Sequence, residues 1–363
     1  DETLPLAGRS VINVLLVPDI EALDEVVVVG YGTMKKSNVT GSIVSIDEES
    51  FTQVKTTNVI EGLQGKAAGV DITRGNGEAG SGFSVRIRGE RSLSGSNTPL
   101  YIVDGIQYGS GIDINPNDIE SIEILKDVAS TAIYGAKGAN GVIIITTKQG
   151  MKGKPKITFS TYAGRNTPLG ELPYMDRNEF MNFREDLVKF NTYYDDGTWP
   201  ETAEVNYEPF EQEGIEKGTN TRWFDEVART GYMQNYFLAV YGGKEGISYN
   251  VSADYTKETG TLKQDDYKRY VIKGGLDIEV NDHLNVGTSS VLSFIDRSRM
   301  EFPGGGIRAM NPLAEPYDSA GNLIIYPTVP SNGRTPLWYF QEGYYNREEL
   351  TTRIFSNLYA NVE

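Results

Sequence analysis

Three segments in the second half of the chain alternate between apolar and polar side chains over ten residues or more. In 247–256, Ile247, Tyr249, Val251, Ala253 and Tyr255 share one face, while Ser248, Asn250, Ser252, Asp254 and Thr256 share the other. In 270–280, Tyr270, Ile272, Leu276, Ile278 and Val280 oppose Lys273, Asp277 and Glu279. In 284–294, Leu284, Val286, Leu292 and Phe294 continue the pattern, which Val291 and Ile295 break. Period two is the signature of a strand with unlike faces. Tyr232–Tyr241 and Gly246–Thr256 read as one hairpin around the Gly-rich turn Gly242–Gly246. Tyr267–Val280 and His283–Asp296 read as a second hairpin across Asn281-Asp282. Ile157–Gly164 and Leu350–Glu363 are further candidate strands. Long connections, 165–230, 257–266 and 297–349, lie between them, the first with a predicted helix over Arg177–Phe190.

Long strands, short turns at one end, long loops at the other and tyrosines near strand ends fit a transmembrane barrel. The rival is a soluble sandwich wet on one side, whose strands usually run to about 5–6 residues. No apolar run approaches the roughly 18 residues of a membrane helix, so a membrane core could be crossed only by a barrel. Five or six strands cannot close, and an open edge in lipid leaves backbone groups unpaired. The expectation is therefore a fragment of a larger barrel.

Residues 36–150 read as a mixed α/β unit. Ala67–Arg74 and Phe83–Arg88 are candidate strands around the loop Gly75–Gly82, and Pro99–Asp104 is a third, ending in the turn Asp104-Gly105. An apolar segment begins at Ile119. Asp127–Tyr134 is a predicted short helix with Gly135 as C-cap. Val142–Thr147 is wholly apolar at its start and should be covered on both faces. Ahead of this unit, Ser10–Val17 is strand-like and stopped by Pro18. Asp24–Gly32 reads DEVVVVGYG, and its four valines favour an extended backbone. No hairpin partner is expected close behind, because Thr33–Asn38 is polar and basic. Asp1–Ser10 lacks the basic start and apolar core of a secretion signal, so the numbering is expected to begin inside a longer precursor.

The function classes narrow by exclusion. The 363-residue chain carries a net charge of −16 and no cysteine. The charge argues against nucleic acid, whose binders carry basic stripes. The missing thiols remove disulfides, thiolate catalysis and thiolate metal sites. Gly75–Gly80 spells G-x-G-x-x-G after a strand, but a strand rather than a helix follows, so no pyrophosphate site is expected. Asp113–Glu120 begins like a calcium loop, yet lacks glycine at its sixth position and glutamate at its twelfth. The single histidine, His283, cannot build a zinc site or a credible triad. Catalytic residues, metal sites and cofactors are therefore all expected to be absent. A glycoside hydrolase using two acids and a soluble glycan-binding module are the competing readings.

The ordered segments carry more. Asp24–Gly32 is followed by Thr40-Gly41-Ser42, Leu63–Thr73 (LQGKAAGVDIT), Val85–Gly89 (VRIRG) and Pro99–Gly105 (PLYIVDG). Asn115–Lys126 (NPNDIESIEILK) and Ala132–Lys148 (AIYGAKGANGVIIITTK) complete the series. Over about residues 24–165 the sequence resembles the SusC/RagA group of TonB-dependent outer-membrane transporters. The resemblance implies an α+β plug domain (36–152) followed by the first antiparallel strands and extracellular loops (153–363) of a transmembrane β-barrel of about 22 strands. Residues 1–23 resemble the tail of a carboxypeptidase-regulatory-like domain, and 24–35 a TonB box with its linker.

The resemblance also implies partners and roles. TonB, driven by its inner-membrane motor complex, would grip Asp24, Glu25, Val26, Val27, Val28, Val29, Gly30 and Tyr31 from the periplasm. A SusD-like surface lipoprotein would cover the outer mouth, with dimers of such pairs expected. The cargo would be oligosaccharides, or peptides as the alternative, crossing the outer membrane of a Gram-negative cell. Arg88, with Arg86 on the same strand face, would tie the plug to carboxylates on the barrel wall. Lys137 stands where an arginine is expected, and lysine lacks the bidentate fork. Outward plug loops, with Arg91, Asn97, Tyr108 and Asp113, would meet substrate.

Overall fold

A computed structural model describes residues 26–29, 32–35, 43–52, 55–109, 111–168, 174–299, 304–329, 333–341 and 347–362. The expectations for 1–23, and for Asp24, Glu25, Gly30 and Tyr31, lie outside the described residues.

The valine run forms β1 (Val26–Val29), which pairs antiparallel with β2 (Gly32–Lys35). This corrects the expectation that no hairpin partner follows: a strand partner needs backbone N–H and C=O groups, not apolar side chains. The α/β unit begins with β3 (Ile43–Asp47), α1 (Glu48–Thr52) and α2 (Val59–Gly62). Asn58 caps α2 by accepting the Ile60 N–H at 2.9 Å. The hairpin β4 (Val70–Arg74) and β5 (Phe83–Ile87) stands apart. The main sheet adds β6 (Leu100–Val103), β7 (Ile106–Tyr108), β8 (Ile119–Leu125) and β9 (Val142–Thr147), in the order β3-β8-β9-β6-β7. Only β6 and β9 run parallel.

β9 is covered on both faces, as its composition requires. Ile143 and Ile145 join Ile119, Ile122, Ile124 and Val103 in one apolar layer. Val142 and Ile144 join Leu125 and Ile102 in another. The helix expected over Asp127–Tyr134 is shorter. α3 spans Val128–Thr131 behind the Asp127 cap, and tighter 3₁₀ turns follow over Ala132–Gly138. Gly135 breaks these turns from within (φ 58°, ψ −145°) rather than ending a helix.

Six strands then form one antiparallel sheet in chain order: β10 (Gly153–Asn166), β11 (Gly231–Lys244), β12 (Ile247–Thr259), β13 (Asp266–Asn281), β14 (Leu284–Arg299) and β15 (Arg347–Val362). The turns at one end are only two residues long, Glu245-Gly246 and Asp282-His283. The second lies one residue beyond the expected Asn281-Asp282, because Asn281 stays in β13 and its Oδ1 accepts the His283 N–H at 2.9 Å. The connections at the other end are 167–230, 260–265 and 300–346. They are shorter than expected because the strands run on. The first holds α4 (Arg177–Asp196), α5 (Pro209–Lys217) and α6 (Trp223–Val227), and the last holds α7 (Gly304–Ala309). α4 outruns its predicted end because a capping box (Asp176, Glu179) starts it and only Gly197, in the left-handed region, stops it. No described helix is long and apolar enough to cross a membrane.

The burial of this sheet is inverted relative to a soluble one. Ile247, Val251, Ile272, Leu292, Phe294, Ile354 and Leu358 are exposed. Asn250, Ser252, Asp254, Thr256, Glu258, Arg269, Lys273 and Ser293 are buried against the α/β unit. The exposed face is the lipid face of a barrel wall, and the α/β unit is its plug. Val291 and Ile295, which broke the alternation, face inward: Ile295 packs with Ala79 of the plug and with Tyr267. Tyr236, Tyr255 and Tyr270 form an outward row across three strands, with ring centroids 6.3 and 4.8 Å apart, suited to a membrane interface. Ile272→Arg, near the middle of β13, should cost about 2–4 kcal/mol in urea titrations of the protein folded into vesicles. A loss below about 1 kcal/mol would show that this face does not meet lipid.

Candidate functional site

The chemistry-bearing side chains of this chain collect where plug meets wall. Asn235, Asp254 and Arg269 lie on adjacent strands, diagonal neighbours on the inner face. Arg269 Nη2 stands 3.1 Å from Asp254 Oδ1, and the two side chains are 4 % and 1 % exposed. Asn235 Nδ2 donates to the other carboxylate oxygen. The plug completes the cluster from two places: Asn115 Nδ2 donates to Asp254, and Arg269 donates to the Thr57 carbonyl at 3.0 Å. A buried ion pair earns little net stability, but losing one partner strands the other charge. The pair is therefore a specific clasp on the plug.

A second cluster lies toward the short turns. Asp118, at the start of the plug strand β8, accepts from Ser252 Oγ at 2.7 Å and from Tyr241 Oη at 3.3 Å. Burial pushes its carboxyl above the ordinary range, opposed by the nearby Lys273 ammonium and the two hydroxyls. Lys273 Nζ and Asn250 Nδ2 both donate to the Lys148 carbonyl, at 2.9 and 3.2 Å. A third contact joins β14 and β15 to the plug: Asp113 pairs with Arg353 and accepts from Ser293 Oγ at 3.2 Å. Beside it the Tyr108 and Phe355 rings lie 5.1 Å apart.

The fourth contact is the G-x-G-x-x-G loop between β4 and β5. Its amides bind anions, but the anions belong to the wall. The Ala79 N–H points at Asp265, 3.1 and 2.9 Å from the two oxygens. The Gly80 N–H donates to Glu258 Oε2 at 2.9 Å, and Arg297 donates to the Gly80 carbonyl at 2.9 Å. Gly80 sits at φ +61°, and a Cβ there would lie 2.2 Å from the Tyr267 ring. Only glycine fits. The Asp265 carboxyl is pushed up to about 6, first by burial and then by Glu78 and Glu258, against the Ala79 amide and Arg229.

The residues singled out from sequence fall in three places. Arg86 pairs with Glu90 at 3.0 Å on the surface. Arg88 is exposed, holds φ 60°, and its N–H donates to the Gly69 carbonyl at 2.8 Å. The wall ties among the described residues come from other groups. Lys137 Nζ donates to Gln107 Oε1 at 2.9 Å, an amide rather than a carboxylate. Arg91 and Asn97 lie in one exposed loop, where Asn97 Oδ1 accepts the N–H groups of Arg91 and Ser92, both at 2.9 Å, and Arg91 reaches the Ala139 carbonyl. Tyr108 and Asp113 are buried against the wall. The sequence reading missed Asp254, Arg269, Lys273 and Glu258. Ionisable groups inside spanning strands were the available signal, since such groups face a lumen or a partner.

The TonB-dependent Receptor Plug Domain family matches residues 35–142. TonB-dependent receptor P26 of Formosa agariphila is 35 % identical over 332 residues, 88 % of this chain and 31 % of that protein. TonB-dependent receptor SusC of Bacteroides thetaiotaomicron is 32 % identical over 368 residues, 98 % of this chain and 33 % of that protein. The chain thus spans about a third of these curated relatives. Among solved structures, the RagAB peptide importer in its open-open state superposes with a TM-score of 0.76 at 26 % identity, covering 93 % of this chain and 40 % of that one.

Two predictions follow from the contacts. Asp254→Ala should cost about 3–5 kcal/mol, because it leaves Arg269 buried and unpaired, read as a lower melting temperature of the whole protein. A carboxyl whose folded pKa exceeds its unfolded value costs stability as it ionises. Relative to Asp265→Asn, the wild type should therefore lose stability as pH rises from 3.8 to about 6 and then level off, a trend measurable in urea midpoints.

Proposed function

The chain belongs to the SusC/RagA group of TonB-dependent receptors, and on that premise we propose that the whole protein actively imports oligosaccharides across the outer membrane of a Gram-negative bacterium. It works as a transporter rather than an enzyme, with a SusD-like lipoprotein over its outer mouth. The observation that carries the reading is the plug held against the inner face of a lipid-facing wall by buried polar contacts. A seat of that kind is closed until force or ligand opens it. A peptide cargo is the second reading, favoured by the likeness to the RagAB peptide importer.

Residues 24–31 are the handle for TonB. β1 pairs with β2 alone in a two-stranded sheet, and an isolated hairpin of that size is marginal in water. TonB can take the strand over by β-augmentation. Roughly six backbone hydrogen bonds at about 1 kcal/mol each, loaded together along the strand, can then transmit a pull. The pull enters the plug at β3, an edge strand held by β8 alone. Of the β3 side chains only Ile46 is fully buried, so β3 peels before the interior strands. The next residues drawn out reach Thr57, whose carbonyl Arg269 holds.

Arg86 and Arg88 are proposed to meet barrel strands beyond β10–β15. Arg91 and Asn97 are proposed substrate contacts on their exposed loop. Tyr108 and Asp113 would meet substrate only once their wall contact opens. Deleting residues 24–32 should abolish uptake of labelled oligosaccharide by cells while surface binding persists. Uptake at the wild-type rate would remove the coupling role.

A further inference from the structure

The membrane face of the wall carries a charged recess at its short-turn end. It has a volume of about 900 Å³ and lies against the start of β10 and the β11–β12 turn. Lys154, Pro155, Lys244, Ile247 and Tyr249 line it. Ile247 and Tyr249 share the outward face of β12 with the exposed Val251, so the recess opens toward lipid rather than toward the lumen. Gly242 makes room for it: a Cβ at that position would lie 2.7 Å from the Tyr249 hydroxyl. With no side chain there, the Tyr249 ring can lie along the wall toward Pro155.

The charges are unbalanced in one direction. Lys152, also on the rim, is spent on Glu279 at 2.6 Å. Glu245 is the one remaining acid in the lining. Among the described residues neither Lys154 nor Lys244 forms an ion pair, and both are exposed. Two lysines against one glutamate leave a single positive charge. From Ile247 to the outward Tyr255 is eight residues, about 26 Å along the strand and about 20 Å along the membrane normal at a tilt of about 40°, most of the height of a barrel's apolar band. The recess therefore sits at the headgroup level of the leaflet on the short-turn side. There an ammonium meets phosphate while its stem lies on apolar surface.

We propose that this recess binds one phospholipid of that leaflet. Lys154 and Lys244 take its phosphodiester, the Tyr249 ring lies beside the glycerol region, and the acyl chains run up past Ile247 and Val251. One phosphodiester matches the one surplus charge. The lipid, not a free anion, is the ligand, because the floor leading away from the lysines is apolar and faces the membrane.

The test uses the full-length transporter reconstituted in phosphatidylglycerol vesicles, extracted in mild detergent and weighed intact with its retained lipid. The wild type should keep one phospholipid that the double variant Lys154→Ser, Lys244→Ser loses, with occupancy falling roughly fivefold per lysine removed. Lys257→Ser, at the opposite membrane edge, should leave that lipid in place. Retention of barrel migration in unheated gels certifies folding. If the double variant does not assemble, each single variant carries the test with its own roughly fivefold loss. Equal retention by wild type and folded variant overturns the proposal. So does release of the lipid by millimolar inorganic phosphate, which would make the recess a free-anion site.

Discussion

A sheet that meets lipid on one side and protein on the other must turn its polar face inward, and that inversion governs every contact described above. Backbone groups in hydrocarbon have to pair within the sheet, so β10–β15 run long and pair over nearly their whole length. The outward side chains are then chosen for lipid, and many inward positions are left to Asn, Ser, Thr, Asp, Glu, Arg and Lys, with apolar groups such as Phe237, Val291 and Ile295 between them. Anything packed against that inner face must satisfy polar groups. The plug does so with backbone, through the carbonyls of Thr57, Gly80 and Lys148 and the amides of Ala79 and Gly80, and with the side chains of Asn115, Asp113 and Asp118. Its own core is apolar and lies within the plug, around β8 and β9.

A polar seat of this kind is tight and reversible for one reason. Apolar packing between plug and wall would resist separation in proportion to area. Hydrogen bonds to carbonyls exchange instead with water that enters as the contact opens. The exception is the Asp254–Arg269 pair, which would stay with the wall if the Thr57 carbonyl left and so remain internally neutralised. That pair would keep its charges matched whether or not the plug is seated, which lowers the cost of unseating.

The architecture was legible because period-two alternation survives in the sequence wherever one face meets lipid; Tyr249 to Tyr255 and Tyr270 to Val280 carried it. Ile295 looked like an error because the plug's own apolar surface at Ala79 lies outside its local sequence, and Val291, also buried, reads the same way. The β1–β2 hairpin was hidden because backbone pairing is indifferent to the lysines and asparagine of Thr33–Asn38. The contact site was less legible. Arg86 and Arg88 stand out in VRIRG, yet the buried ties sit on Asp254, Arg269, Lys273 and Glu258, whose partners on the plug are 100 residues or more away and mostly backbone atoms that sequence does not distinguish. The G-x-G-x-x-G loop leads into a strand, as its sequence implied. Its amides still take carboxylates, since a nest of N–H groups discriminates charge rather than chemical name.

The positions of these ties divide the plug mechanically. β3 and α1 precede Thr57, and Lys148–Glu48 is a partly exposed ion pair in that region. The body from Asn58 onward is tied at the long-loop end through Ala79, Gly80 and Asp113, and at the short-turn end through Asp118 and Lys148. A pull applied ahead of β3 therefore meets one edge strand and one carbonyl clasp before it meets a body anchored at both ends. Edge strands open at low free-energy cost while interior strands open only with the global fold. Under such a load β3 would leave first and the Thr57 clasp would yield next, while the four strands β8-β9-β6-β7 stay on the wall and the space β3 vacated beside β8 opens the first gap in the plug.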